Sequence, residues 1–166
     1  MADGGTSAVI MLVTGLLIAG GAGVLLIDQW EQATRNIQQN EQKRAEAEHY
    51  DISFAGDPMM VSFDTNTGGS NEITFYVQNT GVSEMSTTYQ VLINGNEPAT
   101  SSESVVPSGS DWVAGTLLEV TVSDTSFSSL NDGDDVLIFF IGQSERSPLG
   151  HQHAVTMSVE VRLNEL

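Results

Sequence analysis

The chain has 166 residues, a formal charge of −17 from 22 acidic against five basic side chains, and no cysteine. The missing cysteine excludes disulfides, thiolate metal sites and cysteine nucleophiles. The charge repels nucleic acid and gains nothing from an anionic membrane surface, and the length suits one ordinary domain with an appendage.

The first element is apolar. No charged residue occurs from Gly4 to Ile27, and Ala8 to Ile27 is nearly all apolar. A helix crossing the hydrocarbon core needs about 20 such residues, so the run predicts a transmembrane helix over residues 1–30. A cleaved secretory signal has a basic start and a shorter apolar region. Here the start is MADGGTSA, with Asp3 and neither lysine nor arginine. No basic residue precedes a glycine, as the processing site of pilin-type precursors requires. The expectation is a segment retained as a single-pass anchor in the cytoplasmic membrane.

Gly15, Ala19 and Gly23 recur every four residues and form a small-residue stripe. Helices in lipid associate where small residues let backbones approach, so the stripe is a candidate packing seam against another membrane helix. The competing reading is that glycine is simply common in membrane helices. Trp30 falls just past the span, where an interfacial tryptophan belongs.

Two signals for orientation oppose each other. Arg35, Lys43 and Arg44 all lie C-terminal to the span, and the positive-inside rule would place the C-terminal part in the cytoplasm. They are mixed with Asp28, Glu31, Glu41, Glu46 and Glu48, and long domains translocate largely regardless of charge. The rule is therefore set aside here, and the charges by themselves leave the orientation open.

Residues 31–49 contain neither proline nor glycine and are rich in Gln, Glu, Ala, Arg and Lys, all good helix formers. They predict a helical stalk continuing the first helix to about His49, reaching roughly 30 Å at 1.5 Å per residue. Trp30, Ile37 and Arg44 repeat every seven residues, too few positions for a coiled coil.

At Tyr50 the period changes from 3.6 to 2. YDISFAG and MMVSFDT come first, split by Asp57-Pro58. NEITFYVQN alternates Ile73, Phe75 and Val77 with outward partners and closes in a turn at Asn79-Thr80-Gly81. TTYQVLINGN puts Tyr89, Val91 and Ile93 on one face, with a turn at Asn94-Gly95. A loop rich in serine, proline and glycine is predicted from Glu97 to Asp111. TLLEVTVSD turns Leu118, Val120 and Val122 inward, and DDVLIFFIG and HAVTMSVEVRL complete the set. The expected fold is mainly β with one long N-terminal helix: an immunoglobulin-like sandwich of about seven strands over residues 50–166.

One strand breaks simple alternation. Val136 to Ile141 is apolar on both faces, so one of Phe139 and Phe140 enters the core. The other needs cover from the stalk, a neighbouring strand or a partner protein. The pair is the candidate partner surface.

The candidates for chemistry are few. His151 and His153 lie two apart, but zinc wants three or four ligands; they read as exposed loop histidines. Asn131-Asp132-Gly133-Asp134-Asp135 lacks the spacing and terminal glutamate of a calcium loop and reads as a turn before a strand. There is no Gly-x-Ser-x-Gly elbow, phosphate-binding glycine loop or convincing triad. No catalytic, cofactor-binding or metal-binding residue is assigned, and no small-molecule substrate is expected.

An acidic surface with Lys43 as its only lysine stays hydrated in concentrated salt, where self-repulsion is screened, and points to a salt-loving archaeal source. The opening MADGGTSAVIMLVTGLLIAGGAGVLLI, the helix after it, and a sandwich beginning DISFAGDPMM and continuing EITFYVQNTG resemble the archaellar protein G (FlaG) family of haloarchaea. The similarity is firmest in the N-terminal helix and at Val77-Gln78-Asn79-Thr80-Gly81. Archaellar protein F (FlaF), archaellins and archaeal pilins share the helix-plus-sandwich plan. The resemblance implies a stator of the archaellum, the rotating swimming filament. Its helix would sit in the cytoplasmic membrane and its sandwich beneath the surface layer, with self-association, archaellar protein F and the surface-layer protein as partners. The alternatives are a filament-forming subunit of archaellin or type IV pilin type, and a membrane-anchored binding module.

Overall fold

A proline-free run of 44 residues forms one helix, α1, Gly4–Ala47. The computed structural model describes residues 4–65, 70–107, 109–146 and 150–165, and within α1 the side chains of 4–6, 20 and 22–25 lie outside the described residues. The chain divides into two compact units, Met1–Arg44 and Ala45–Leu166.

In the first unit, every described side chain from Ser7 to Arg44 is exposed. Arg35 pairs with Glu31 one turn earlier at 3.0 Å, a spacing worth only a few tenths of a kcal/mol on an exposed helix. Thr14 and Thr34 return their hydroxyls to the carbonyls of Ile10 and Trp30.

Among the described residues, the second unit holds the last residues of α1 and eight strands: β1 Ile52–Ala55, β2 Val61–Asp64, β3 Asn71–Asn79, β4 Met85–Ile93, β5 Thr100–Val106, β6 Leu117–Asp124, β7 Asp135–Ser144 and β8 Ala154–Glu165. The hydrogen-bonded order is β4-β7-β8-β2-β3-β6-β5, with β1 on β3. The result is a sandwich-like, nearly barrel-like arrangement of two sheets. One is β4-β7-β8; the other is β2-β3-β6-β5, with β1 beside β2 along β3. They are joined by β8, which pairs antiparallel with β7 from Ala154 to Arg162 and then parallel with β2 from Leu163 to Glu165.

Alternation explains the interior. In β3, Ile73, Phe75 and Val77 are buried while their neighbours face outward. In β6, Leu118, Val120 and Val122 do the same, and Val91 and Ile93 bury from β4. Phe63, Ile138, Phe140, Val161 and Leu163 fill the space between the sheets. Each such side chain contributes about 1.5–3 kcal/mol of transfer free energy.

Two features of the core lie in or beside the stretch expected as a loop. Thr100–Val106 forms a full strand, which raises the count to eight. Its sequence, TSSESVV, has no apolar alternation because an edge strand needs only a backbone partner, which β6 supplies. Ser101 and Glu103 lie on the inward side yet remain exposed, and only Val105 reaches the core. An inward-pointing charge on an edge strand blunts edge-to-edge pairing. Trp112, just beyond, is fully buried. It packs edge-on to Phe140 at 6.2 Å, and its indole N–H donates to the Thr116 carbonyl at 3.3 Å. Gly142 makes room here, since a Cβ on it would meet Met85 Cε at 3.1 Å and Trp112 at 3.6 Å.

Candidate functional site

The outer faces of the two sheets differ. On β3 and β6 the outward side chains are mostly polar, and two cross-strand pairs are bonded. Thr74 and Thr121 share a hydrogen bond of 3.0 Å, and the Tyr76 hydroxyl donates to Glu119 at 2.9 Å. That bond to a carboxylate, with some burial, raises the Tyr76 phenol above its ordinary value.

The outer face of β7 is apolar. Leu137, Phe139 and Ile141 succeed one another there, with Leu92 of β4 opposite Phe139. Leu137 is exposed, and Leu92, Phe139 and Ile141 are half-buried. Gln90, Thr156, Ser158 and Glu160 flank them on the neighbouring strands. At one end Arg162 forms a two-pronged pair with Asp135 at 2.8 and 2.9 Å, which holds the Asp135 carboxyl below the usual range. Charge is sparse along the middle of this face, a composition found at the centres of protein interfaces.

The strand that is apolar on both faces is thus resolved. Phe140 is fully buried, edge-on to Phe75 and stacked on Tyr89 with ring centroids 5.2 Å apart. It is a core residue and is removed from the candidate partner surface. Phe139 is the outward member. The Tyr89 hydroxyl is buried without a hydrogen-bond partner among the described residues, though Ser101 and Glu103 stand near it. Burial raises its phenol above the ordinary value.

On α1, Gly15 and Ala19 are exposed, and nothing lies within 4 Å of where a Cβ on Gly15 would sit. Gly23 is helical, but its surroundings lie outside the described residues. Trp30 is 70% exposed. Among the described residues, which are interrupted at 20 and 22–25, no helix is long and apolar enough to cross a membrane.

The end of α1 carries an arrangement that sequence reasoning missed. The turn after β3 lies against residues 49–51. Thr80 and Gly81 donate their backbone N–H groups to the Asp51 carbonyl at 3.0 Å each, and Val82 and Ser83 donate to the His49 carbonyl at 2.9 and 3.2 Å. The approach is too close for a side chain: a Cβ on Gly81 would fall 2.5 Å from the His49 oxygen. Asn79 is fully buried. Its amide donates to the carbonyls of Ser83 and Trp112 at 2.9 Å each and accepts from the Gly81 N–H at 3.0 Å. Asn-Thr-Gly read only as a turn; an asparagine at a strand end with a glycine two residues on was the available signal.

His153 is not an exposed loop histidine. Its side chain is 13% exposed and lies 3.3 Å from the Glu46 carboxylate, with Tyr50 stacked on its ring at 5.5 Å. Ser144 holds its backbone through two bonds, at 2.8 and 2.9 Å.

Asn131–Asp135 folds as a turn, with Gly133 at φ 85° and the Asn131 N–H held by Asp134. Among the described residues no group of three metal-ligating side chains is present. A groove of about 190 Å³ opens beside β1–β3, lined by residues including Phe54, Gly56, Met60, Thr74 and Tyr76. Ligand pockets usually run from about 300 Å³ upward.

No family model and no curated protein matches the chain. Among solved structures, the crystal structure of the yeast GGA1 GAE domain is similar over 67% of this chain and 91% of that one, at 10% identity and a TM-score of 0.29. A similarity of that size carries no argument about function.

Proposed function

We propose that this protein is a non-enzymatic structural component of the archaellum motor, a stator held between the cytoplasmic membrane and the surface layer. The observation that carries the reading is the run Ala8–Ile27, free of charge and set on a helix whose described side chains from Ser7 to Arg44 are all exposed. A helix apolar all round needs an apolar surround. Lipid supplies it at a length of about 20 residues, with Gly15, Ala19 and Gly23 facing other copies and Trp30 at the interface. The resemblance to archaellar protein G supplies the rest: an immunoglobulin-like sandwich outside the membrane, reached by the stalk, meeting archaellar protein F and the surface-layer protein. Phe139 and the outer face of β7 are the surface we assign to that contact. The mechanics are simple. A motor held only in fluid lipid turns itself as readily as its filament, and a helix, a stalk and a β domain seated on a rigid lattice resist that counter-torque.

The test is purification from envelope fractions. Copurification with archaellum motor or surface-layer proteins supports the stator, and its absence removes it. Protease shaving of whole cells should remove the sandwich; a spared sandwich overturns its outward placement. The exposed stripe at Gly15 and Ala19 also suits helices bundled in a filament. That reading predicts a processed N-terminus by mass spectrometry, whereas the stator predicts an intact one.

A further inference from the structure

We propose that residues 46–51 form a clamp that ties the helix exit to both sheets of the sandwich, in place of a flexible linker. The inference goes beyond the stator reading and holds whatever α1 is anchored in. Flexible linkers leave their backbone to solvent. Here the carbonyls of His49 and Asp51 take four N–H groups from consecutive residues, Thr80 to Ser83. That fastener belongs to the β2-β3-β6-β5 sheet, since the turn comes directly after β3 and β1 pairs with β3, Ile52 opposite Asn79. The buried Asn79 amide sets the shape of the turn from within, and Gly81 permits its approach.

The second fastener comes from the other sheet. His153 immediately precedes β8, and its backbone is paired with Ser144 at the end of β7. Its ring reaches the Glu46 carboxylate in the last turn of α1 and stacks on Tyr50. The His49 and Tyr50 N–H groups bond back to the Glu46 and Ala47 carbonyls at 3.1 and 3.2 Å. The chain between the fasteners is therefore itself hydrogen-bonded. A pull arriving through Ala45 is shared by the two sheets, which β8 also joins. Opening the exit requires the Thr80–Ser83 bonds and the His153 contact to give way together.

Backbone hydrogen exchange on the full chain in detergent micelles tests this. The Val82 and Ser83 amides should be protected in the wild type, although both lie in an irregular turn; exchange at the unprotected-chain rate overturns the clamp. Gly81→Ala should accelerate exchange at Val82 and Ser83 by at least about tenfold while Val120 and Val122 in β6 stay unchanged. His153→Ala removes none of the bonds made by Thr80–Ser83, yet it should accelerate exchange there as well, because the two fasteners share one strap. Unchanged exchange at Thr80–Ser83 in His153→Ala overturns the coupling, and it does so even if Gly81→Ala fails to fold.

Discussion

The two outer faces of the sandwich are built on the same pleat and end in opposite conditions. On β3 and β6 the outward row is mostly polar and partly paired within itself, with Thr74 bonded to Thr121 and Tyr76 to Glu119. On β7 the outward row is Leu137, Phe139 and Ile141, and Leu92 beside Phe139 extends it. A polar face whose groups are paired with one another has no need of a partner. In a chain of charge −17, this row is an apolar strip of the sandwich surface with little charge along its middle, Glu160 beside Leu137 being the nearest carboxylate. The sandwich thus has one mostly polar outer face, here called the closed side, and one that carries an apolar row, the open side.

Substitutions can break or sharpen that contrast. The largest effect belongs to the inner side of β7: Phe140→Ala should cost about 3–5 kcal/mol by denaturant unfolding, as for other buried aromatics. Phe139→Ser, one residue away, changes a half-buried outer side chain. If both cost the same, β7 does not have one inner and one outer face as described. On the closed side, Tyr76→Phe removes the hydrogen bond to Glu119 and should cost about 0.5–1.5 kcal/mol. No change in the unfolding midpoint would mean that the polar face gains nothing from its internal pairing. Phe139→Ser should cost about 1 kcal/mol or less while weakening association with envelope partners in a pull-down. Unchanged association removes the apolar row from consideration.

The smallest expected effect lies at the margin of the open face. Arg162 holds the Asp135 carboxyl below its ordinary value. A depressed folded value contributes stability that is present above the unfolded value, about 3.9. That stability is lost as pH falls through the folded value. Wild type should therefore lose more stability than Arg162→Gln on acidification below about pH 4, measured as melting temperature against pH. Parallel curves would show that the pair is too exposed to matter, as most surface pairs are.

Much of the architecture is legible in local pattern. The proline-free N-terminal run is α1, and alternation in β3 and β6 named Ile73, Phe75, Val77, Leu118, Val120 and Val122 as inward. The candidate sites were less legible. Gly15, Ala19 and Trp30 remain properties of a spacing, since among the described residues nothing lies within 4 Å of a Cβ on Gly15. His153 carried no mark that separated it from His151, because the meaning of a histidine depends on a glutamate 107 residues away.

The sequence by itself determined the helix, the period-2 strands, the acidic surface and the apolar run at the N-terminus, because each arises from residues within a few positions of one another. Only the tertiary structure decided which face of Val136–Ile141 is inside. A strand apolar on both sides has no parity of its own, and Phe140 is inward because β4 and β8 hold that register. The same holds for β5, which is a strand only because β6 offers it an edge, and for Trp112, whose burial depends on Gly142 leaving space. The parallel pairing of β2 with the end of β8 and the tying of residues 46–51 to both sheets depend likewise on contacts between distant parts of the chain. Local periodicity cannot encode such contacts, because they exist only once the chain has closed on itself.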